Sequence, residues 1–311
     1  MSSLQIILLY HLPAFYIFLV THVIAIRVKL SFSNSTIISS RPLQIIYSDI
    51  WTSPIISYDG FKYYVIFVDH FTIYIWFYPL KQKSQVKDIF IRFKAIVEKH
   101  LNQNIHTLYS DNGGEYIALS NFLVLHGISH LTTPPHTSEH NGFSERRHLH
   151  IVEIGLTLLS HASIPLHYWS NAFATAIYLI NRTPTPTLNL LSPYEKIFGT
   201  SPNYSKLKIF GCLCYPCLRH YSSHKLNSSS KPCIFLGYSL TQSAYFCYDP
   251  STSKFFVSKH VRFVESIFPF KSSLPQAPRP KSTSVSTWIP PVIHLNTTTS
   301  ALVPPSAVHP Q

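Results

Sequence analysis

Three hydrophobic runs between residues 43 and 80 restrict the possible folds more than any other feature. "LQIIYSDIW", "FKYYVIFVDHF" and "YIWFYPL" are rich in aromatic and β-branched residues, a composition that favours strands over helix. The breaks between them are short and contain Pro54, Asp59-Gly60 and Thr72. Connections this short cannot cross over a sheet, so the runs predict an antiparallel meander.

An amphipathic helix follows over 84–101. Val86, Ile89, Phe90, Phe93, Ile96, Val97 and Leu101 recur at helical spacing, with Lys87, Arg92 and Lys94 between them. Ser84 is its expected N-cap. "IHTLYS" reads as a fourth strand, 118–126 as a shorter helix closed by Gly127, and "ISHLT" as a fifth strand. The Pro- and Gly-containing stretch 132–142, "TTPPHTSEHNG", reads as a mobile loop. Helices are expected over 143–160 and 166–181. Beyond 204 the pattern changes to short β runs with a hairpin turn at Asp249-Pro250-Ser251-Thr252, as in a small β-barrel. The stretch 271–311 holds eight Pro, many Ser and Thr, no Gly and no acid, the composition of a disordered linker.

Charge narrows the partners. Only 12% of residues are charged, with 25 Lys and Arg against 13 Asp and Glu, a net +12; soluble domains usually carry about 25% charged residues. The basic excess favours a polyanion, either nucleic acid or an acidic membrane surface. Residues 4–26 carry no charge, a length that can span a bilayer. Gln5, His11, Pro13, Thr21 and His22 interrupt that run, and no basic residue precedes it as a secretory signal requires. The five cysteines, Cys212, Cys214, Cys217, Cys233 and Cys247, are odd in number and irregularly spaced, which argues against a disulfide framework. "IFGCLCYPCL" admits a zinc reading, but alternating Cys in an apolar run suits small core residues better.

In so acid-poor a chain, "TLYSDNGGEY" stands out because a buried strand ends in Asp111 beside two glycines. A fourth strand laid along the first makes Asp49 and Asp111 neighbours. Paired carboxylates repel unless a cation lies between them, and hard oxygen ligands suit Mg²⁺ or Mn²⁺. Glu145, opening the basic stretch "ERRHLH", is the candidate third ligand. Such a triad can hold two metal ions for an in-line phosphoryl displacement, with Arg146 and Arg147 placed to meet phosphate. The plainer reading of each residue stays open at this point: a strand-end Asp49, a turn at Asp-Asn-Gly-Gly, and a Glu145 that complements a helix dipole.

"SDNGGEY", "HTSEHNGFSERRHLHIVE" and "YLINRTPT", in that order, closely resemble the integrase region of copia-type (Pseudoviridae) LTR retrotransposons of plants. "FVDHFTIYIWFYPLKQKS" and "FGCLCYP…FLGYSLTQSAYFCYDPSTSKFF" extend the similarity to about residues 31–270. The resemblance implies an α/β, ribonuclease H-like core, a mixed five-stranded sheet with flanking helices, over 41–203. It further implies an SH3-like β domain over 204–270 and a disordered linker over 271–311, preceded by an apolar remnant over 1–40. It assigns Asp49, Asp111 and Glu145 as catalytic metal ligands for Mg²⁺ or Mn²⁺, without zinc, and Asn141, Arg146, Arg147 and His148 as DNA contacts. The expected partners are element cDNA ends and target DNA, with self-association, in the nucleus after a cytoplasmic particle, as part of a larger polyprotein.

Departures from the family pattern are visible. Residues 1–30 contain no Cys, so the family's N-terminal zinc module is missing and the apolar N-terminus reads as a decayed or mis-joined remnant rather than a stable membrane anchor. Leu149 and Ile73 replace usual basic residues, and Cys217 stands where Trp is common. Three functions follow: a metal-dependent polynucleotidyl transferase, a nucleic-acid-binding relic without catalysis, and a membrane-anchored protein defined by residues 4–26. The intact carboxylates favour the first, while the missing zinc module, Leu149 and Ile73 favour the second.

Overall fold

The computed structural model describes residues 38–132, 142–219, 230–239 and 242–271. The apolar stretch 4–26, Asn141 and the Pro-rich stretch from 272 lie outside the described residues.

Strands β1 (Ile45–Thr52), β2 (Tyr63–Asp69) and β3 (Ile75–Leu80) form the expected antiparallel meander. Asp69 closes its second turn. The fully buried carboxylate accepts hydrogen bonds from the Leu43 and Thr72 backbone N–H groups (2.8 Å each) and from the Thr72 hydroxyl (2.6 Å). Helix α1 (Val86–Leu101) then provides the crossover that a parallel neighbour requires. Its start differs from expectation: Ser84 lies within a preceding 3₁₀ turn (Lys83–Gln85), and the Gln85 side chain accepts from the Lys81 and Gln82 backbones. Strand β4 (Thr107–Ser110) pairs parallel with β1, and β5 (Ser129–Thr132) pairs parallel with β4, giving the order β3-β2-β1-β4-β5.

The alternation along each strand assigns the two faces. Tyr47, Tyr64, Ile66, Val68, Ile75 and Phe77 face helices α4 (Gly142–Ala162) and α5 (Trp169–Ile180). Ile46, Val65, Phe67, Trp76 and Tyr78 face α1 through Val86, Phe90, Phe93 and Val97. A sheet buried on both faces needs nearly continuous apolar strands, which is what 43–80 contains. The single helix expected over 118–126 is instead two short pieces, α2 (Gly114–Ile117) and α3 (Ser120–Leu125), with Gly127 in the left-handed conformation (φ 64°) that ends the second.

After the short helix α6 (Pro193–Phe198), strands β6 (Leu213–Pro216), β7 (Cys233–Tyr238), β8 (Tyr245–Asp249), β9 (Lys254–Ser258) and β10 (Val261–Val264) form an antiparallel sheet of order β10-β6-β7-β8-β9. Its apolar side continues the core of α4 and α5: Phe173, Ala176 and Ile177 share one cluster with Cys212, Phe235 and Leu236. The rings of Tyr178 and Tyr238 stack at 3.9 Å. Cys212, Cys214, Cys233 and Cys247 are buried free thiols that fill this core. The Cys214 thiol is pushed far above its usual range by its contact with Cys247 and then by burial, so it is held protonated. Among the described residues, no helix is long and apolar enough to cross a membrane.

Candidate active site

The parallel register of β1 and β4 pairs Tyr47 with Tyr109. Carried two residues further, this register sets Asp49, inside β1, against Asp111, the residue just past the end of β4. The Asp111 carboxyl is raised above the usual carboxylate range, first by burial and then, against the Gly113 N–H bond, by the negative charges of Asp49 and Glu115. Lys83 acts in the opposite direction. The Gly113 N–H donates to Asp111 Oδ1 at 3.2 Å. Asp49 is held by its own backbone, with Oδ1 accepting from the Ile50 N–H at 2.8 Å.

The two glycines have different roles. A Cβ at Gly113 would lie 3.0–3.1 Å from the Glu115 carboxyl atoms, so glycine there lets Glu115 fold back toward Asp111. Glu115 also pairs with Lys83 at 3.6 Å. A Cβ at Gly114 would meet nothing within 4 Å. The open approach beside Asp111 is at the second glycine.

Glu145 lies in the first turn of α4 and is exposed. Among the described residues, no three His, Cys, Asp or Glu side chains form a group that could hold a metal ion. His148, expected at the DNA surface, is buried instead, with Nε2 3.4 Å from Asp49 Oδ2 and Nδ1 2.9 Å from the Tyr64 hydroxyl. Helical geometry explains the correction, because Ser144, His148, Ile151 and Gly155 form the buried stripe of α4 and His148 lies within it. Arg146 is exposed, and the Arg147 guanidinium lies 5.1 Å from the centre of the Phe143 ring. Leu149 is 62% exposed. Sequence reasoning missed Lys83, Glu115 and Tyr64. Glu115 was within the motif itself, and Lys83 and Tyr64 give no local signal.

A half-buried carboxyl raised first by burial and then by the charge of a neighbouring aspartate suits a hard divalent cation, for which Asp49 and Asp111 are the candidate donors.

Residues 39–138 match the integrase core domain family, and residues 212–277 match the retroviral polymerase SH3-like domain. The Retrovirus-related Pol polyprotein from transposon RE1 of Arabidopsis thaliana is 64% identical over 246 residues, 79% of this chain. The chain belongs to the retrotransposon Pol integrase family. The corresponding polyprotein from transposon RE2 of the same plant is 63% identical over 245 residues, again 79% of this chain. The chain spans 17% of the length of each of these curated relatives. A structure of the HTLV-2 integrase catalytic core domain in complex with magnesium is 18% identical and covers 50% of this chain and 97% of its own. Its TM-score of 0.38 is too low to bear on the site. Within the integrase family assignment, the five-stranded sheet is the integrase core and the second sheet is the SH3-like region. The core match contains Asp49 and Asp111 and ends before Glu145.

Proposed function

We propose that this chain is the integrase of its element, a polynucleotidyl transferase that joins the 3′-hydroxyl of the element's DNA to a target phosphodiester. The observation that carries the reading is the carboxylate pair of Asp49, inside β1, and Asp111, just past the end of the parallel neighbour β4, with the Asp49 charge among the causes that raise Asp111. Asp49, Asp111 and, once α4 carries it inward, Glu145 are the ligands for Mg²⁺ or Mn²⁺. Bound there, the cation supplies Lewis-acid charge for an in-line phosphoryl displacement.

The chain's own residues supply the rest. The backbone bond from Ile50 fixes one Asp49 oxygen, and the Gly113 N–H fixes one Asp111 oxygen. The open space at Gly114 admits the DNA backbone. Arg146 and Arg147, on the same turn as Glu145, are the residues for phosphate in this reading, with Asn141 before them in the sequence. Element DNA ends and target DNA are the partners, with the chain acting as a homo-oligomer in the nucleus.

The test is strand transfer of a terminal-repeat oligonucleotide by the full chain with Mn²⁺. Joined product that disappears in Asp111→Asn supports the reading. DNA binding without joined product from either protein identifies a nucleic-acid-binding relic instead.

A further inference from the structure

The helix that carries Glu145 meets Asp49 through His148. His148 is 7% exposed, and its two ring nitrogens have different neighbours. Nδ1 lies 2.9 Å from the Tyr64 hydroxyl, and Nε2 lies 3.4 Å from Asp49 Oδ2. Nε2 is fully buried and makes no hydrogen bond within normal limits. The other Asp49 oxygen is already committed to the Ile50 N–H. One oxygen of the carboxylate is therefore set by backbone, and the other faces an imidazole nitrogen waiting at slightly more than hydrogen-bond distance.

We propose that His148 is a positioning residue that holds Asp49 in its metal-binding orientation and ties the N-terminal part of α4, which carries Glu145, to the middle of β1. The proposal rests on the reading of Asp49 and Asp111 as the cation site. The imidazole is itself anchored. Tyr64 is fully buried among the rings of Trp51, Phe77, Trp169 and Phe173, so its hydroxyl is a fixed point. With the phenol donating to Nδ1, the ring N–H is on Nε2, the nitrogen that lies 3.4 Å from Asp49 Oδ2. The other tautomer would set a nitrogen lone pair against a carboxylate oxygen, which is repulsive. Burial, and after it the charge of Asp49, raises the Tyr64 phenol well above its usual range, which keeps it a neutral partner. Outer partners of this kind orient ligating carboxylates, and their loss typically costs about 10–100-fold in metal affinity.

A core histidine that only fills space would leave metal binding alone. The measurement is Mn²⁺ affinity of the full chain by electron paramagnetic resonance, with thermal melting in parallel, for wild type, His148→Phe, His148→Gln, Tyr64→Phe and Asp111→Asn. The expected result is that His148→Phe weakens Mn²⁺ binding by about 10–100-fold. His148→Gln, which keeps an N–H, restores most of it, and Tyr64→Phe, which frees the ring, gives a smaller loss. Wild-type affinity in folded His148→Phe, with binding lost in Asp111→Asn, overturns the proposal and leaves the aspartate site standing. Wild-type affinity in Asp111→Asn as well overturns the site and the proposal with it. Where His148→Phe does not fold, Tyr64→Phe, which removes one oxygen, decides: unchanged Mn²⁺ affinity overturns the positioning role.

Discussion

A Cβ built on Gly237 would lie 2.4 Å from the Thr175 hydroxyl oxygen. Gly237 is in β7 of the SH3-like sheet, Thr175 is in α5 of the integrase core, and the Thr175 hydroxyl is fixed by donating to the Asn171 carbonyl at 2.8 Å. Gly211 approaches Ala162 in the same way, at 2.3 Å. Backbone contact of this closeness makes the second sheet part of the core's own packing.

Gly237→Ala is therefore expected to destabilise the whole chain by about 3 kcal/mol, because the added methyl overpacks a rigid helix and the φ of 123° strains any side chain. Urea unfolding followed by tryptophan fluorescence checks this. Trp51, Trp76 and Trp169 all lie in the integrase core, so a substitution in β7 should shift their transition. A transition unchanged from wild type means the two sheets unfold independently.

Asp69→Ala removes the acceptor for two backbone N–H groups and one hydroxyl at the β2–β3 turn. Buried donors left without partners cost about 1–3 kcal/mol each before relaxation, and we expect a net loss of about 3 kcal/mol. Equilibrium denaturation measures it; a loss under about 1 kcal/mol would mean that the turn rearranges freely.

The meander was legible in the sequence because a sheet buried on both faces demands unbroken β-branched and aromatic runs. The placement of β4 as parallel neighbour of β1 followed from the single crossover helix before it. Docking of the SH3-like sheet was not legible. Gly237 and Gly211 look like ordinary strand and turn glycines until the helix against them is seen. His148 was assigned to DNA from the family resemblance, although its spacing from Ile151 and Gly155 puts it on the apolar stripe where it is buried. Glu145 falls beside that stripe, and spacing alone did not distinguish a side chain facing the aspartates from one facing solvent.

Asp111 carries the clearest pH consequence. Its folded-state carboxyl is raised, by burial first and then by Asp49 and Glu115. A raised acid contributes stability that is complete below the unfolded value, about 3.9, and is lost as pH rises through the folded value. Without divalent cation, wild type should lose stability as pH rises through that window, and Asp111→Asn should lose less, because Asp59 and Asp69, also raised chiefly by burial, remain. At neutral pH, Asp111→Asn should then melt at the higher temperature. Thermal melts in chelator across pH 3–8 check this, and parallel curves for the two proteins would contradict it.

Leu149 is 62% exposed, four residues beyond Glu145 on α4. Leu149→Arg should leave the melting temperature nearly unchanged, since no core contact is lost. If the DNA backbone runs past this turn, the added cation releases one further counterion. The slope of log K against log[salt] for DNA binding should then steepen by about 1 unit. An unchanged slope with unchanged stability places the DNA elsewhere.

The most direct test of Asp49 and Asp111 as one catalytic unit is the strand-transfer rate of Asp49→Asn, Asp111→Asn and the double variant with Mn²⁺. Residues that act together lose their function together. The expected result is that each single substitution abolishes joining and that the double is no worse than either. Joining at the wild-type rate in either single variant, or losses that multiply in the double, would contradict a shared metal site.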